Sequence, residues 1–361
     1  HDAQCARADG LVGGLCPSDV GYLSTYSAQW ATACVRYYQL TGDRALLEDL
    51  YPAALRNMSA FERFLTKDGL IDGAGWAFVD WGYVRNPGPA DMGYNLHFLT
   101  AVRAMSDWSR LLGKQNDEAR FVAMDQQVSR VVRAWLDGNL ADGSSGWQRI
   151  GYHCTVLALW LGLIPPEKEA ECLQAIRGHI LRCFPNDPEA PRLSDPQITN
   201  QRIITPYFAH FAFPPLIERG GMDFVLDQYR KCWGWLLGDG RTTWLEVFDP
   251  RWSHCHHWSG PPTWQLSRYV LGLNPRFDLG KNHYEFNFHP GPLPTAKGRL
   301  PFPDGSGHIS VEWRRDTSRI QYQLAADSPI TLLMPAVKPG EHPSVVEIKD
   351  RYEMVLPPSL Q

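Results

Sequence analysis

The sequence predicts a mainly α chain: a helical toroid of the (α/α)6 type over residues 1–275, then a small antiparallel β-sandwich over residues 276–361. Two observations predict it. Long runs carry apolar residues at helical spacing, some apolar all round and others on one face, and a recurring Leu/Gly turn joins them. After Leu273-Asn274-Pro275 the period falls to two, with Gly and Pro crowded between short runs. At 361 residues and 44% hydrophobic content, the chain can bury one large core and a smaller one.

The first helix is read over 24–40 from Tyr26, Trp30, Cys34 and Tyr37, and it stops at Thr41-Gly42. Asp43 caps a second, running to Leu65 through Leu46, Leu50, Leu55 and Phe61, with a kink expected at Pro52. Amphipathic runs follow at 91–112 and 116–136. Residues 152–161 are nearly all apolar and read as an inner, buried helix. Segments 167–183, 204–217, 222–237 and 262–271 complete nine helices. Thr205-Pro206-Tyr207 is taken as a helix start, with Pro in the first turn. The Leu/Gly turn recurs at Leu40-Thr41-Gly42-Asp43, Leu111-Leu112-Gly113-Lys114 and Leu161-Gly162-Leu163-Ile164, the mark of stacked hairpins. Six hairpins need twelve helices, so the toroid is up to three short. In the tail, 308–313, 319–324 and 330–334 alternate or run apolar as strands.

Composition excludes several function classes. A net charge of -4 with well-mixed signs argues against a nucleic-acid partner. No apolar run approaches the roughly 18 residues of a membrane span. There is neither a signal peptide nor an initiating Met, so His1 begins a processed chain or a fragment, and compartment and oligomeric state stay open. The eight cysteines form no C-x-x-C pair and read mostly as buried free thiols. With fourteen Trp, fourteen Tyr and fifteen Phe, core packing is the default role of any one ring. Trp76, Trp81, Trp147, Trp244, Trp252 and Trp258 stand apart because they sit beside Gly, Asp or Pro in expected loops.

The chemistry-bearing stretch is Thr242-Thr243-Trp244-Leu245-Glu246-Val247-Phe248-Asp249, followed by Ser253-His254-Cys255-His256-His257-Trp258-Ser259-Gly260. A carboxylate among indoles and imidazoles can activate water or grip hydroxyls, which suits a neutral, hydroxyl-rich ligand such as a sugar. Glu246 is the leading catalytic candidate; the competing reading is a surface or capping Glu. His254 and His256 have the spacing to chelate from an extended strand, but no second cluster supports a metal, so neither metal nor cofactor is expected. His256 is read as a hydrogen-bonding group. In Asp72-Gly73-Ala74-Gly75-Trp76-Ala77-Phe78-Val79-Asp80-Trp81-Gly82 the phosphate-cradle pattern is absent. There Asp80 is a candidate acceptor for sugar hydroxyls and Trp81 an apolar face; a turn Asp and a packed Trp are the alternative. Asp195 reads as a turn initiator.

These pieces together resemble glycoside hydrolase family 78, the α-L-rhamnosidases. The resemblance rests on Phe78-Val79-Asp80-Trp81, Thr205-Pro206-Tyr207, Thr242-Thr243-Trp244-Leu245-Glu246, Ser253-His254-Cys255-His256-His257-Trp258-Ser259, Leu271-Gly272-Leu273-Asn274-Pro275 and the Gly-rich tail. It implies an (α/α)6 catalytic toroid followed by a β-sandwich, and cleavage of terminal α-L-rhamnose with inversion from a rhamnose-containing glycoside or oligosaccharide. It implies that Glu246 is the general base, that His256 contacts the sugar, and that Trp81 and Trp30 line the rhamnose subsite beside Asp80; Trp244 is grouped with them as substrate-binding.

Two departures accompany the match. The family usually has Gly or Tyr where His257 stands. Its general acid lies in an acidic Cys-Pro-x-Arg-(Asp/Glu)-Glu segment; Cys16-Pro17-Ser18-Asp19 has the Cys-Pro without the Arg or the acidic pair. The expectation is that this segment and the first helices lie before His1. An inverting glycosidase needs two carboxyl groups about 6.5–9.5 Å apart. Three readings follow: a weak enzyme, a fragment completed by another part, or an enzyme using Asp9, Asp80 or Asp91 as acid. A sugar-binding protein on a degenerate glycosidase scaffold is the main alternative to a hydrolase. A polysaccharide lyase is a weaker one, since no Lys/Arg cluster for an acidic substrate is visible in the sequence.

Overall fold

A computed structural model describes residues 3–14, 23–73, 75–86, 88, 90–141, 143–193, 202–335 and 343–358. Asp195 and the Cys16-Pro17-Ser18-Asp19 segment lie outside the described residues. The chain forms two compact units. One is drawn from His1–Arg36, Arg44–Ala212 and Leu245–Ser253, the other from Tyr37–Asp43, Phe213–Trp244 and His254–Gln361.

The first unit is helical. Helix α1 (Ser24–Thr41) is followed by α2 (Arg44–Glu62), α3 (Met92–Leu111) and α4 (Gln115–Leu140). Asp91 starts α3 by accepting the Tyr94 backbone N–H at 3.1 Å, satisfying one of the helix's orphan donors. Helix α3 was expected to be one-faced, yet it is buried continuously from Met92 to Val102. Its Gly93, Thr100, Ala101 and Ala104 are small enough for neighbours to close in on every side. The Trp108 indole donates to the Leu47 carbonyl of α2 at 3.1 Å, and Arg103 reaches Asp125 of α4 at 3.2 Å. Thus α3 packs between α2 and α4.

Helix α5 (Ser144–Ile150) was not foreseen. Trp147, expected in a loop, lies within it and is buried. Gly-Ser-Ser-Gly reads as a turn locally, but Gly146 lets this helix press against the end of α4, where a Cβ would collide with the Asn139 carbonyl oxygen. Helix α6 (Tyr152–Trp160) is buried from His153 to Leu159, as its apolar run predicts. Helix α7 (Glu169–Leu181) follows, and α8 (Ala209–Ile217) starts later than expected, because Pro206, Tyr207 and Phe208 form a turn ahead of it.

In the second unit α9 (Met222–Gln228) runs through a π-turn at Tyr229–Trp233 into α10 (Gly234–Leu236), and α11 (Pro261–Gln265) ends in another π-turn at Leu266–Val270. Eight strands follow: β1 (Leu273–Pro275), β2 (His283–Phe286), β3 (Thr295–Pro301), β4 (His308–Arg315), β5 (Ile320–Ala326), β6 (Ile330–Met334), β7 (Ser344–Ile348) and β8 (Arg351–Leu356). They form two four-stranded sheets, ordered β1-β2-β6-β7 and β3-β4-β5-β8. The pairing is antiparallel except for β2 with β6, which is parallel and departs from the purely antiparallel expectation. The sheets meet through rings: Phe286 lies 5.3 Å from Tyr322, and Phe288 lies 5.4 Å from Trp313. Alternate residues Ile309, Val311 and Trp313 of β4 are buried, as period two requires.

Of the described cysteines, Cys154, Cys172, Cys183 and Cys232 are buried and outside any disulfide; Cys5 and Cys34 are half-buried and Cys255 is exposed. No described helix is long and apolar enough to cross a membrane.

Candidate active site

Glu246 stands on a tight loop of the first unit. Its backbone N–H donates to the Ser253 carbonyl at 2.9 Å, closing the loop on itself. Inside the loop, the Asp249 carboxylate accepts the Arg251 backbone N–H at 3.0 Å and its guanidinium Nε at 2.9 Å. Val247 packs with Leu193 and Ile203, and the Trp252 indole donates to the Leu193 carbonyl at 2.8 Å. Apolar anchoring on one side and hydrogen bonds on the other leave Glu246 half-buried and held. Its Oε1 accepts the Trp81 indole N–H at 2.9 Å.

Trp81 belongs to an aromatic cluster. Its ring centroid lies 4.8 Å from Phe78 in an edge-to-face contact, 5.7 Å from Trp252 and 6.4 Å from Trp76. Trp76 is 57% exposed, a large fraction for an indole. Tyr26, from the first turn of α1, adds a ring 5.9 Å from Phe78 and 6.5 Å from Tyr207. Burial, with the neighbouring Tyr207, Asp80 and Glu246 charges, raises the Tyr26 phenol well above its ordinary value and keeps it neutral. Rings of this kind offer flat apolar faces to the C–H surface of a sugar, with carboxylate and phenol as polar handles.

Beneath Trp81 lies Asp80. Thr205 donates its hydroxyl to the Asp80 carboxylate at 2.8 Å, and His153 Nε2 lies 3.0 Å from Oδ2. Burial raises the Asp80 pKa, opposed by the His153 and Thr205 hydrogen bonds. This carboxylate, expected to face sugar hydroxyls, is engaged by His153 and Thr205 and ties the Trp81 segment to α6 and to the turn before α8. Thr205 also accepts the Phe208 N–H at 3.1 Å.

The remaining candidates are placed as follows. Trp30 lies on α1 and is 8% exposed. Trp244 and His256 belong to the second unit, where the His256 N–H donates to the Trp244 carbonyl at 3.0 Å and the His256 ring lies 4.2 Å from that of Trp258. The structure thus brings Glu246, Trp81 and Asp80 together in one unit, and pairs Trp244 with His256 in the other. Among the described residues, no group of three or more His, Cys, Asp or Glu is arranged to hold a metal ion. Of the carboxylates considered as acids, Asp9 pairs with Arg7 at 3.2 Å, and Asp91 caps α3 while accepting the Tyr83 hydroxyl at 2.6 Å.

Sequence reasoning did not find Tyr26, His153 or the role of Thr205. One sign was available: His153 is a polar ring in the otherwise apolar run of α6, and a buried imidazole needs a partner.

A family profile, the bacterial alpha-L-rhamnosidase 6 hairpin glycosidase domain, matches residues 2–270. Three solved structures share the fold. A GH78 family rhamnosidase of Bacillus sp. GL1 is 21% identical with a TM-score of 0.69, over 90% of this chain and 35% of that one. An alpha-L-rhamnosidase from Dictyoglumus thermophilum is 17% identical with a TM-score of 0.71, over 99% and 43%. A Streptomyces avermitilis alpha-L-rhamnosidase complexed with L-rhamnose is 18% identical with a TM-score of 0.69, over 98% and 35%. The chain therefore spans between 35% and 43% of the length of these relatives. The helical toroid read from the sequence is the fold of the matched domain, and a largely antiparallel sheet region follows it.

Proposed function

The chain belongs to the bacterial alpha-L-rhamnosidase 6 hairpin glycosidase family, and on that premise we propose that it acts in the inverting hydrolysis of a terminal α-L-rhamnoside, with Glu246 as the general base. The observation that carries this reading is the Trp81 indole N–H on Glu246 Oε1 at 2.9 Å, within a cluster of rings. In this role Glu246 takes a proton from water as the water attacks the anomeric carbon, on the face opposite the departing oxygen. The indole N–H fixes the plane of the carboxylate and so aims it. Trp81 and Trp76 receive the sugar's apolar face. Asp80, held by Thr205 and His153, positions Trp81 rather than touching the sugar. Asp9, Asp80 and Asp91 are all engaged elsewhere, and no step is assigned to them.

The test is rhamnose release from an aryl α-L-rhamnoside by the wild-type chain and by Glu246→Gln. A loss of at least ~100-fold, with unchanged thermal unfolding, is expected for a general base; equal rates discard the assignment. A second reading is a sugar-binding protein on a degenerate glycosidase scaffold, without turnover, since Asp9, Asp80 and Asp91 are all engaged within the protein. Calorimetric binding of rhamnose by a chain that releases none would select it.

A further inference from the structure

Phe78 is the hub of the ring cluster beside Glu246. Three rings meet it edge-to-face: Tyr26 at 5.9 Å and 86°, Trp76 at 5.8 Å and 80°, and Trp81 at 4.8 Å and 78°. Trp81 carries Glu246 on its indole N–H, so Tyr26 and Glu246 belong to one hub. Burial first, then the Tyr207, Asp80 and Glu246 charges, oppose ionisation of the Tyr26 phenol. That Glu246 acts on this phenol at all makes the two near neighbours, because charge interactions fade within ~10 Å.

The start of α1 seats Tyr26 firmly. Leu23 pairs with Trp76 in a parallel bridge. The Ser24 backbone N–H donates to the Trp76 carbonyl at 3.1 Å and its hydroxyl donates to the same carbonyl at 3.0 Å, while the Thr25 hydroxyl donates to the Phe78 carbonyl. Ser24 and Thr25 are fully buried, so these small hydroxylated residues lay the first turn of α1 directly on the 76–78 segment. Tyr26 is thus fixed to the strip of backbone that carries Trp76, Phe78 and Trp81.

What this seat leaves over is the phenol oxygen. The Tyr26 side chain is half-buried, and among the described residues its hydroxyl has no hydrogen-bond partner. Its polar neighbours are engaged elsewhere: Tyr207 with Gln29 at 3.1 and 3.3 Å, Asp80 with His153 and Thr205, and Glu246 with Trp81. A phenol that stays protonated and finds no acceptor in the protein is a donor available to a ligand. We infer that Tyr26 is a specificity-determining residue of the sugar site, its O–H donating to one ring hydroxyl of the rhamnose, a role that rests on the reading of Glu246 given above. The aromatic faces supply contact that any pyranose of similar shape would share. The phenol supplies discrimination, since a sugar that covers it without the facing hydroxyl leaves the donor unpaired. Tyr26 escaped the sequence because it stands at helical spacing among apolar residues of α1, where a tyrosine reads as packing.

The test is calorimetric titration of the full chain and of its Tyr26→Phe variant with L-rhamnose and with the 2-deoxy, 3-deoxy and 4-deoxy analogues. Tyr26→Phe keeps the ring on Phe78 and removes no hydrogen bond within the protein, so the unfolding midpoint should stay in place. A fall of more than ~2 °C overturns the inference, because the hydroxyl then serves the fold. The variant is expected to bind L-rhamnose about 3- to 10-fold more weakly, the scale of one neutral hydrogen bond. Two of the analogues should show the same loss, and the third, lacking the hydroxyl that Tyr26 meets, should show none. An equal loss for all four sugars, or no loss for L-rhamnose, overturns the inference while leaving the rhamnoside reading intact. Failure of the wild-type chain to bind L-rhamnose or to release it from an aryl rhamnoside sinks that reading and the inference with it.

Discussion

The Trp81 indole N–H donates to Oε1 of Glu246 at 2.9 Å, joining two residues 165 positions apart. Trp81 is in turn fixed edge-to-face on Phe78 and tilted against Trp252. The carboxylate is therefore oriented by a donor that is itself packed on more than one side.

Trp81→Phe keeps most of the ring and removes the donor. A hydrogen bond to a charged group is worth about 1.5–3 kcal/mol, so rhamnoside turnover should fall roughly 10- to 100-fold. Steady-state kinetics on an aryl rhamnoside read this directly. A rate within ~2-fold of wild type would show that the indole N–H does not orient the base.

Asp80→Ala leaves the Thr205 hydroxyl and the His153 imidazole without their acceptor inside the protein. Orphaned buried polar groups cost ~1–3 kcal/mol each, so a loss of about 2–4 kcal/mol is expected in urea unfolding. Tryptophan fluorescence should change as well, because Trp81 follows Asp80 directly. A loss below ~0.5 kcal/mol, the range of ordinary surface changes, would contradict the positioning role.

His97, on α3, sets an acid limit to stability. Burial, reinforced by His153, lowers its imidazole from 6.5 to about 3. Gln29 Nε2 lies 3.3 Å from its Nδ1, and the Phe211 ring stands 5.3 Å away. Below pH 6.5 the unfolded chain takes up a proton that the folded chain refuses until about pH 3, so stability falls across that window as pH drops. The slope from this one group approaches ~1.4 kcal/mol per pH unit. His97→Gln should flatten the decline in unfolding midpoint between those limits; an unaltered pH profile would exclude His97 as its source.

Gly146→Ala tests how α5 is seated. The added methyl meets the Asn139 backbone carbonyl, which cannot swing aside as a flexible side chain would. Overpacking of this kind costs ~1–3 kcal/mol. Thermal unfolding should show a lower midpoint, and an unchanged one would mean that α5 sits less tightly on α4.

The legible parts of the molecule are those governed by local periodicity. Apolar spacing marked α1, α3 and α6, and alternation marked β4 and β5, because a helix or a strand presents its faces at a fixed period. Helix α5 was hidden because Gly143, Ser144, Ser145 and Gly146 favour a turn on their own; contact with α4 overrides that preference. The parallel β2–β6 pair was equally hidden, since the partner of a strand is not written in its alternation.

At the site, the sequence by itself determined that a carboxylate, indoles and imidazoles stand close together between 242 and 258, and that Asp80 adjoins Trp81. Only the tertiary structure decided which of these groups serve one another. It joined Trp81 to Glu246 and closed Asp80 onto His153 and Thr205. The physical reason is that a buried polar group takes its partner from whatever the packed core brings within about 3 Å, and that proximity is a property of chain closure rather than of sequence spacing.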